Sequence, residues 1–269
     1  MNGVIVIDKE EGITSRDVVN KVVKEYNTKK VGHTGTLDPI ATGVLVVCVG
    51  SATKLVSDLT NHDKEYIATV ELGKLTDTMD ITGNLIKEER VSKTKEEIID
   101  ALNSFKGKYI QTFPIYSAVK VNGRKLYEYA RNNEYVELPK REVEISSIEL
   151  LEYSDNTFTF KCSVSKGTYI RALINDIATK LGTIGTMTDL RRVRLGKFTL
   201  DDCNRGLISI KDVVDYPIVE LTSDIEKKVL NGAKIDNNDK VLFVKNNIEI
   251  AIYENGKPYI MFRGGNIWH

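Results

Sequence analysis

Gly32-His33-Thr34-Gly35-Thr36-Leu37-Asp38-Pro39, closed by Ala41-Thr42-Gly43, sets one carboxylate on a glycine-punctuated loop between a helical pattern and an apolar run. Glycines at 32, 35 and 43 permit backbone conformations that side chains disfavour. Pro39 fixes its own φ and pushes Asp38 out of the helical region. A carboxylate held this way can be aimed at a ligand. An Asp-Pro pair standing alone is an ordinary turn, in which the Asp side chain bonds its own backbone.

The flanks of this loop predict the fold. Upstream, residues 3–7 form a short apolar run, read as a buried strand. Thr14 with Asp17 three residues later reads as a capping box. Val18, Val19, Val22, Val23 and Tyr26 then follow at helical spacing. Downstream, residues 44–49 read as a second buried strand. Residues 66–72 alternate, with Tyr66, Ala68, Val70 and Leu72 on one face. Thr94 caps a helix over residues 95–105, and residues 143–165 hold two strands around Ser154-Asp155-Asn156. Residues 169–181 carry Ile170, Leu173, Ile174, Ile177 and Leu181 in helical phase. Strands and helices mix without strict alternation. The fold class is therefore α+β, with a mixed, largely antiparallel central sheet and flanking helices.

After Thr222 the pattern changes. A helix over 223–230 is followed by three short apolar runs, at 241–244, 248–253 and 259–262, separated by Asn/Gly turns. This predicts a main domain over residues 1–222 and a small β-rich appendage over 223–269.

Composition narrows the function less. Lys+Arg and Asp+Glu both number 38 in 269 residues, so global charge gives no sign of nucleic-acid binding. Charge does localise: residues 161–198 hold eight basic side chains against two acids. By charge patterning this is either a solvated face or a phosphate-binding stripe. Cys48, Cys162 and Cys203 are far apart, which excludes CxxC metal sites and a disulfide framework. No signal peptide and no apolar run near 18 residues are present, so the chain reads as cytoplasmic, with no membrane contact.

Four further segments carry chemistry beside the Asp38 loop. They are Lys64-Glu65-Tyr66, the stretch 111–131 beginning Gln111-Thr112-Phe113-Pro114, Lys166-Gly167-Thr168-Tyr169-Ile170-Arg171, and residues 186–198 with Leu190-Arg191-Arg192. In type and order these segments, with the opening Asp8-Lys9 and Gly12-Ile13-Thr14-Ser15, resemble the TruB family of tRNA pseudouridine-55 synthases over residues 3–222. Phe113 stands where that family usually has Pro, and the C-terminal segment is short for the family's PUA domain.

The resemblance implies a pseudouridine synthase fold with a reduced, PUA-like RNA-binding appendage. It implies an enzyme that isomerises uridine 55 in the T loop of tRNA, with Asp38 as the catalytic carboxylate. It assigns Arg171 as the partner of Asp38, Tyr66 as an aromatic face for the flipped base, Tyr169 to the base side, Leu190 to an apolar wall and His33 to the displaced RNA. The expected partner is the tRNA T-arm stem-loop. A monomer without protein partners is expected, and no cofactor or metal is implied.

The residue types suit this chemistry. Turning uridine into pseudouridine breaks an N-glycosidic bond and forms a C–C bond with no exchange of electrons. The sugar C1′ becomes electron-poor, and a carboxylate is its natural nucleophile or stabiliser. A neighbouring Arg favours the ionised carboxylate. A base must leave its stack to react. Taken alone, Tyr66 and Leu190 read as core, Tyr169 as part of a helix stripe, Arg171 as a solvated charge and His33 as a histidine without metal partners. A tRNA-binding or folding protein with incidental catalysis and a guide-RNA-dependent, dyskerin-like synthase are the competing readings. A nucleotide phosphate loop at residues 32–36 fails for want of GxxxxGK[ST].

Overall fold

The computed structural model describes residues 1–262. Arg263, one of the seven basic residues of the appendage, and His269 lie outside them. The first strand, β1 (Gly3–Lys9), leads through the Thr14 cap into α1 (Ser15–Glu25). Both bonds of the capping box form: the Thr14 hydroxyl accepts from Asp17 N–H, and the Asp17 carboxylate accepts from Thr14 N–H. The short β2 (Val31–His33) precedes the Asp38 loop, and β3 (Thr42–Val49) follows it. Next come α2 (Val56–Thr60), β4 (Lys64–Leu72), a hairpin of β5 (Lys74–Thr76) and β6 (Leu85–Glu88), and α3 (Lys95–Ser104). Beyond β7 (Gly107–Thr112), the paired β8 (Lys120–Val121) and β9 (Arg124–Lys125) lead to α4 (Leu126–Arg131). The long β10 (Lys140–Ser154) turns back as β11 (Thr157–Val164), and α5 (Ile170–Lys180) leads to β12 (Gly185–Leu195) and β13 (Phe198–Thr199).

The main sheet runs β1-β3-β12-β4-β11-β10-β7, with β2 on β3 and β13 on β12. All of its pairings are antiparallel except β12 on β3. That exception lies at the site, where Arg191 and Arg192 pair with Thr42 and Gly43. Gly43 has φ +98°, and a Cβ there would lie 2.2 Å from the Arg192 carbonyl oxygen. Only glycine lets the two strands come this close. Gly32 does not use the freedom its residue type offers: a Cβ there would meet one Val56 methyl at 3.6 Å, an ordinary contact.

One buried cluster fills the helix-covered side of the sheet, with Val18, Val22, Leu45, Val47, Ala68, Val70, Phe160, Leu173 and Ile177. The opposite side holds a second cluster, with Val4, Val6, Val44, Val46 and Cys48.

After α6 (Ile210–Val213) the chain builds a second sheet from β14 (Ile218–Glu220), β15 (Val241–Lys245), β16 (Ile248–Glu254) and β17 (Lys257–Met261), with α7 (Ser223–Leu230) packed on it. A β-rich C-terminal region is present as the sequence predicts, and β14 joins its sheet from before residue 222. Val241 and Phe243 pack within the small core of this region. Leu242, Val244, Ile252 and Ile260 instead join the second cluster of the main sheet. Among the described residues no helix is long and apolar enough to cross a membrane.

Candidate active site

The Asp38 loop is held by three buried polar side chains. Ser15 Oγ accepts from Leu37 N–H at 2.9 Å and donates to Leu37 C=O at 3.1 Å. Lys9 Nζ donates to Glu10 C=O, Ile13 C=O and, at 3.2 Å, Pro39 C=O. Burial lowers its pKa, which the nearby Asp38 partly opposes. From the other side Arg192 donates to Val44 C=O at 2.7 Å and Gly35 C=O at 3.1 Å. The Asp38 carbonyl closes the turn by accepting from Ala41 N–H at 3.0 Å. The carboxylate itself is partly exposed.

It meets Arg171 Nε at 3.0 Å, the Arg side chain being 6% exposed and the Asp 36%. The same Nε lies 3.8 Å from Asp80, which is 7% exposed. Arg171 Nη1 donates to Thr78 C=O at 2.8 Å and Nη2 to Tyr116 C=O at 3.0 Å. Each nitrogen of this guanidinium therefore has a partner. A buried cation needs such compensation. Asp80 is anchored in turn by Thr78 Oγ1, Thr82 N–H and the Thr82 hydroxyl. Asp38 alone of the two carboxylates retains solvent access.

Tyr169 precedes α5 as its N-cap residue. Burial raises the pKa of its phenol; Ser117 and Arg171 oppose this shift and Asp38 adds to it. The phenol is a proton donor at neutral pH within the field of the Asp38–Arg171 pair. Phe113 packs edge-on to its ring at 5.4 Å, beneath the Arg141 guanidinium.

Tyr66 is 7% exposed and belongs to the same buried cluster as Leu37, Ile170 and Leu190. A single register line, Gly43–Arg192–Tyr66–Cys162, carries the loop end across to it. Leu190 pairs with Ala68 two residues along. His33 stands on β2 on the approach to the loop, its Nδ1 accepting from Gly35 N–H at 3.4 Å. Burial first, then Arg16 and Arg192, lower its pKa, which keeps the ring neutral. Among the described residues no three His, Cys, Asp or Glu side chains converge as a metal cage.

The family model described as TruB family pseudouridylate synthase (N terminal domain) matches residues 23–170. The one for the tRNA pseudouridylate synthase B C-terminal domain matches residues 171–230. The chain belongs to the TruB family. Its relatives include the tRNA pseudouridine synthase B of Clostridium tetani, 42% identical over 270 residues, or 96% of this chain and 93% of that one. The protein of that name from Fusobacterium nucleatum is 50% identical over 201 residues, covering 75% of this chain and 70% of its own. Among solved structures, a Cbf5-Nop10-Gar1 complex aligns with 28% identity and a TM-score of 0.65, over 96% of this chain and 82% of that chain.

Within this TruB-family chain, Asp80 is the site residue that sequence reading passed over. Its only local signal is a run of short polar side chains, Thr76-Asp77-Thr78-Met79-Asp80, with Met79 at φ +64°. The basic stripe of residues 161–198 is also less free than its count. Lys161 and Arg194 pair with Glu65, Arg191 with Asp8 and Lys197 with Asp215. Arg171 and Arg192 are buried. The neutralising acids come from other segments, which a linear charge count cannot see.

Proposed function

We propose that this protein isomerises uridine 55 in the T loop of tRNA to pseudouridine, with Asp38 as the catalytic carboxylate. The observation that carries this reading is the Asp38–Arg171 pair, a partly exposed carboxylate on a buried guanidinium each of whose nitrogens has a partner. Membership of the TruB family and relatives named tRNA pseudouridine synthase B support the reaction and the substrate class.

In this reading the target nucleotide is flipped from the RNA so that its sugar meets Asp38. The N1–C1′ bond breaks as electrons leave with the base. The base turns, C5 bonds to C1′, and the proton on C5 is lost while N1 regains one. Asp38 serves either by attacking C1′ or by first removing the C2′ proton. A primary isotope effect on 2′-deuterated uridine selects the second route, and its absence the first. Tyr66 offers the ring for stacking, Tyr169 a neutral phenol on the base side, Leu190 an apolar wall, and His33 a neutral ring toward the displaced RNA. The enzyme is read as a cytoplasmic monomer that works without a cofactor or metal.

The test is a bare tRNA transcript incubated with purified protein, followed by mapping of pseudouridine. Modification at position 55, lost when that uridine is replaced by cytidine, is expected. Activity only with added guide RNA would favour a guide-dependent synthase, and tight binding without any modification would favour a tRNA-binding role.

A further inference from the structure

Gln111 on β7 is fully buried, and it is polar. Its Oε1 accepts from Tyr169 N–H at 2.8 Å, and its Nε2 donates to Tyr169 C=O at 3.1 Å. One side-chain amide thus satisfies both backbone groups of the residue that opens α5. Tyr169 has no side-chain cap of its own to fix that opening. Two residues further on, Phe113 packs on the Tyr169 ring. Alternate residues of one strand face the same way, so positions 111 and 113 hold the backbone and the ring of Tyr169 together.

Two residues earlier on the same face, Tyr109 gives the amide a third partner. Its hydroxyl accepts from Gln111 Nε2 at 2.5 Å. That oxygen accepts through a lone pair while its own proton points away from the amide. The Asp176 carboxyl of α5 lies near the phenol and bears on its titration. A flipped Gln111 amide would set its oxygen against both the Tyr109 oxygen and the Tyr169 carbonyl. The N–H and C=O of Tyr169 therefore exclude that orientation, Tyr109 adds a third bond to the one that remains, and the cost of unpaired buried groups enforces the exclusion.

We infer that Gln111, held in one amide orientation by the Tyr169 backbone and Tyr109, is a positioning residue for the Asp38–Arg171 pair, acting through the backbone of Tyr169 two residues before Arg171. The inference deepens the proposed function and rests on it. Arg171 lies in the first turn of α5 and must meet Asp38, Asp80 and two carbonyls at once. A displacement of about 1 Å at the start of that helix is enough to cost about a hundredfold in rate. Asp38 itself is not touched by Gln111, so the effect falls on the chemical step rather than on the grip on RNA.

The experiment uses the full chain and a tRNA transcript with tritium at C5 of uridine. It reads the single-turnover rate at saturating tRNA, the Kd for tRNA and the thermal melt. If the wild-type protein releases no tritium, the proposed function falls and the inference falls with it. Given an active wild type, Gln111→Ala is expected to lose a hundredfold or more in rate with Kd within threefold. Tyr109→Phe keeps the ring and is expected to lose about tenfold. Because both act through one amide, the double variant is expected to be no slower than Gln111→Ala alone. Rates within threefold of wild type in folded variants, a loss confined to Kd, or additive losses would each overturn the inference. If Gln111→Ala does not fold, the rate and Kd of Tyr109→Phe decide it by the same limits.

Discussion

A cation that sequence alone reads as solvated, Arg171, is here buried. Arg171 was reached through its motif, because helical spacing gives no sign that its side chain turns inward to two carboxylates. Asp80 was not reached, since its partner is remote in sequence and its short polar neighbours suggest only a turn. Asp38, by contrast, was legible, because proline and glycines constrain the loop around it. Tyr66 packs in the core cluster, as its position taken alone predicts, and Leu190 belongs to the same cluster. Tyr66→Phe keeps the stacking face and is expected to bind tRNA as wild type does. Tyr66→Ala loses the face, costing about 1–3 kcal/mol of stacking. Filter binding beside single-turnover rates separates these effects, and wild-type rates for Tyr66→Phe would restrict the residue to stacking.

At the scale of elements, most helices and strands could be read from period and cap. The Thr14 and Thr94 capping boxes start α1 and α3 where the sequence places them. The β12 strand was not read as one, because Asp189, Arg191, Arg192 and Arg194 break its apolar pattern. Three of those charges find partners only through the tertiary fold. The parallel β3–β12 contact needs Gly43, so Gly43→Ala is expected to destabilise by about 3 kcal/mol. Urea unfolding checks this.

Asp176 offers a pH test at the same scale. Burial raises its pKa to about 6, against which the Tyr109 hydrogen bond acts. Tyr109 also feels Cys162 from β11. Between the ordinary value near 4 and about 6, the folded state holds a proton that the unfolded state has lost, so stability falls as pH rises through this window. Asp176→Asn is expected to remove that part of the slope between pH 4 and pH 6.5. An unchanged slope in urea titrations across this range would contradict the assignment.

Across the whole molecule, the appendage shares a core with the main sheet. The short runs after Thr222 predict a separable unit because each has its own turn chemistry. Packing is invisible to that reading: Leu242, Val244, Ile252 and Ile260 join the buried cluster that also holds Val4, Val6, Val44 and Val46. Four such side chains, at about 1.5–3 kcal/mol each, rival the total stability of an ordinary domain. Deleting residues 223–269 is therefore expected to abolish a cooperative thermal melt, and a truncated protein that melts within a few degrees of wild type would contradict this packing. Contacts of Lys240 and Tyr259 with Asp58 tie the two parts further.

These layers converge on the carboxylate that the main sheet and α5 position from opposite sides. Asp38→Asn removes its charge while keeping its shape. The decisive measurement is the single-turnover rate of this variant on a tRNA transcript labelled at uridine 55, taken beside its Kd for the same RNA. Loss of detectable pseudouridine, with Kd within about tenfold, or about 1.4 kcal/mol, of wild type, is the predicted result. Turnover near the wild-type rate would contradict the assignment of Asp38 as the catalytic carboxylate.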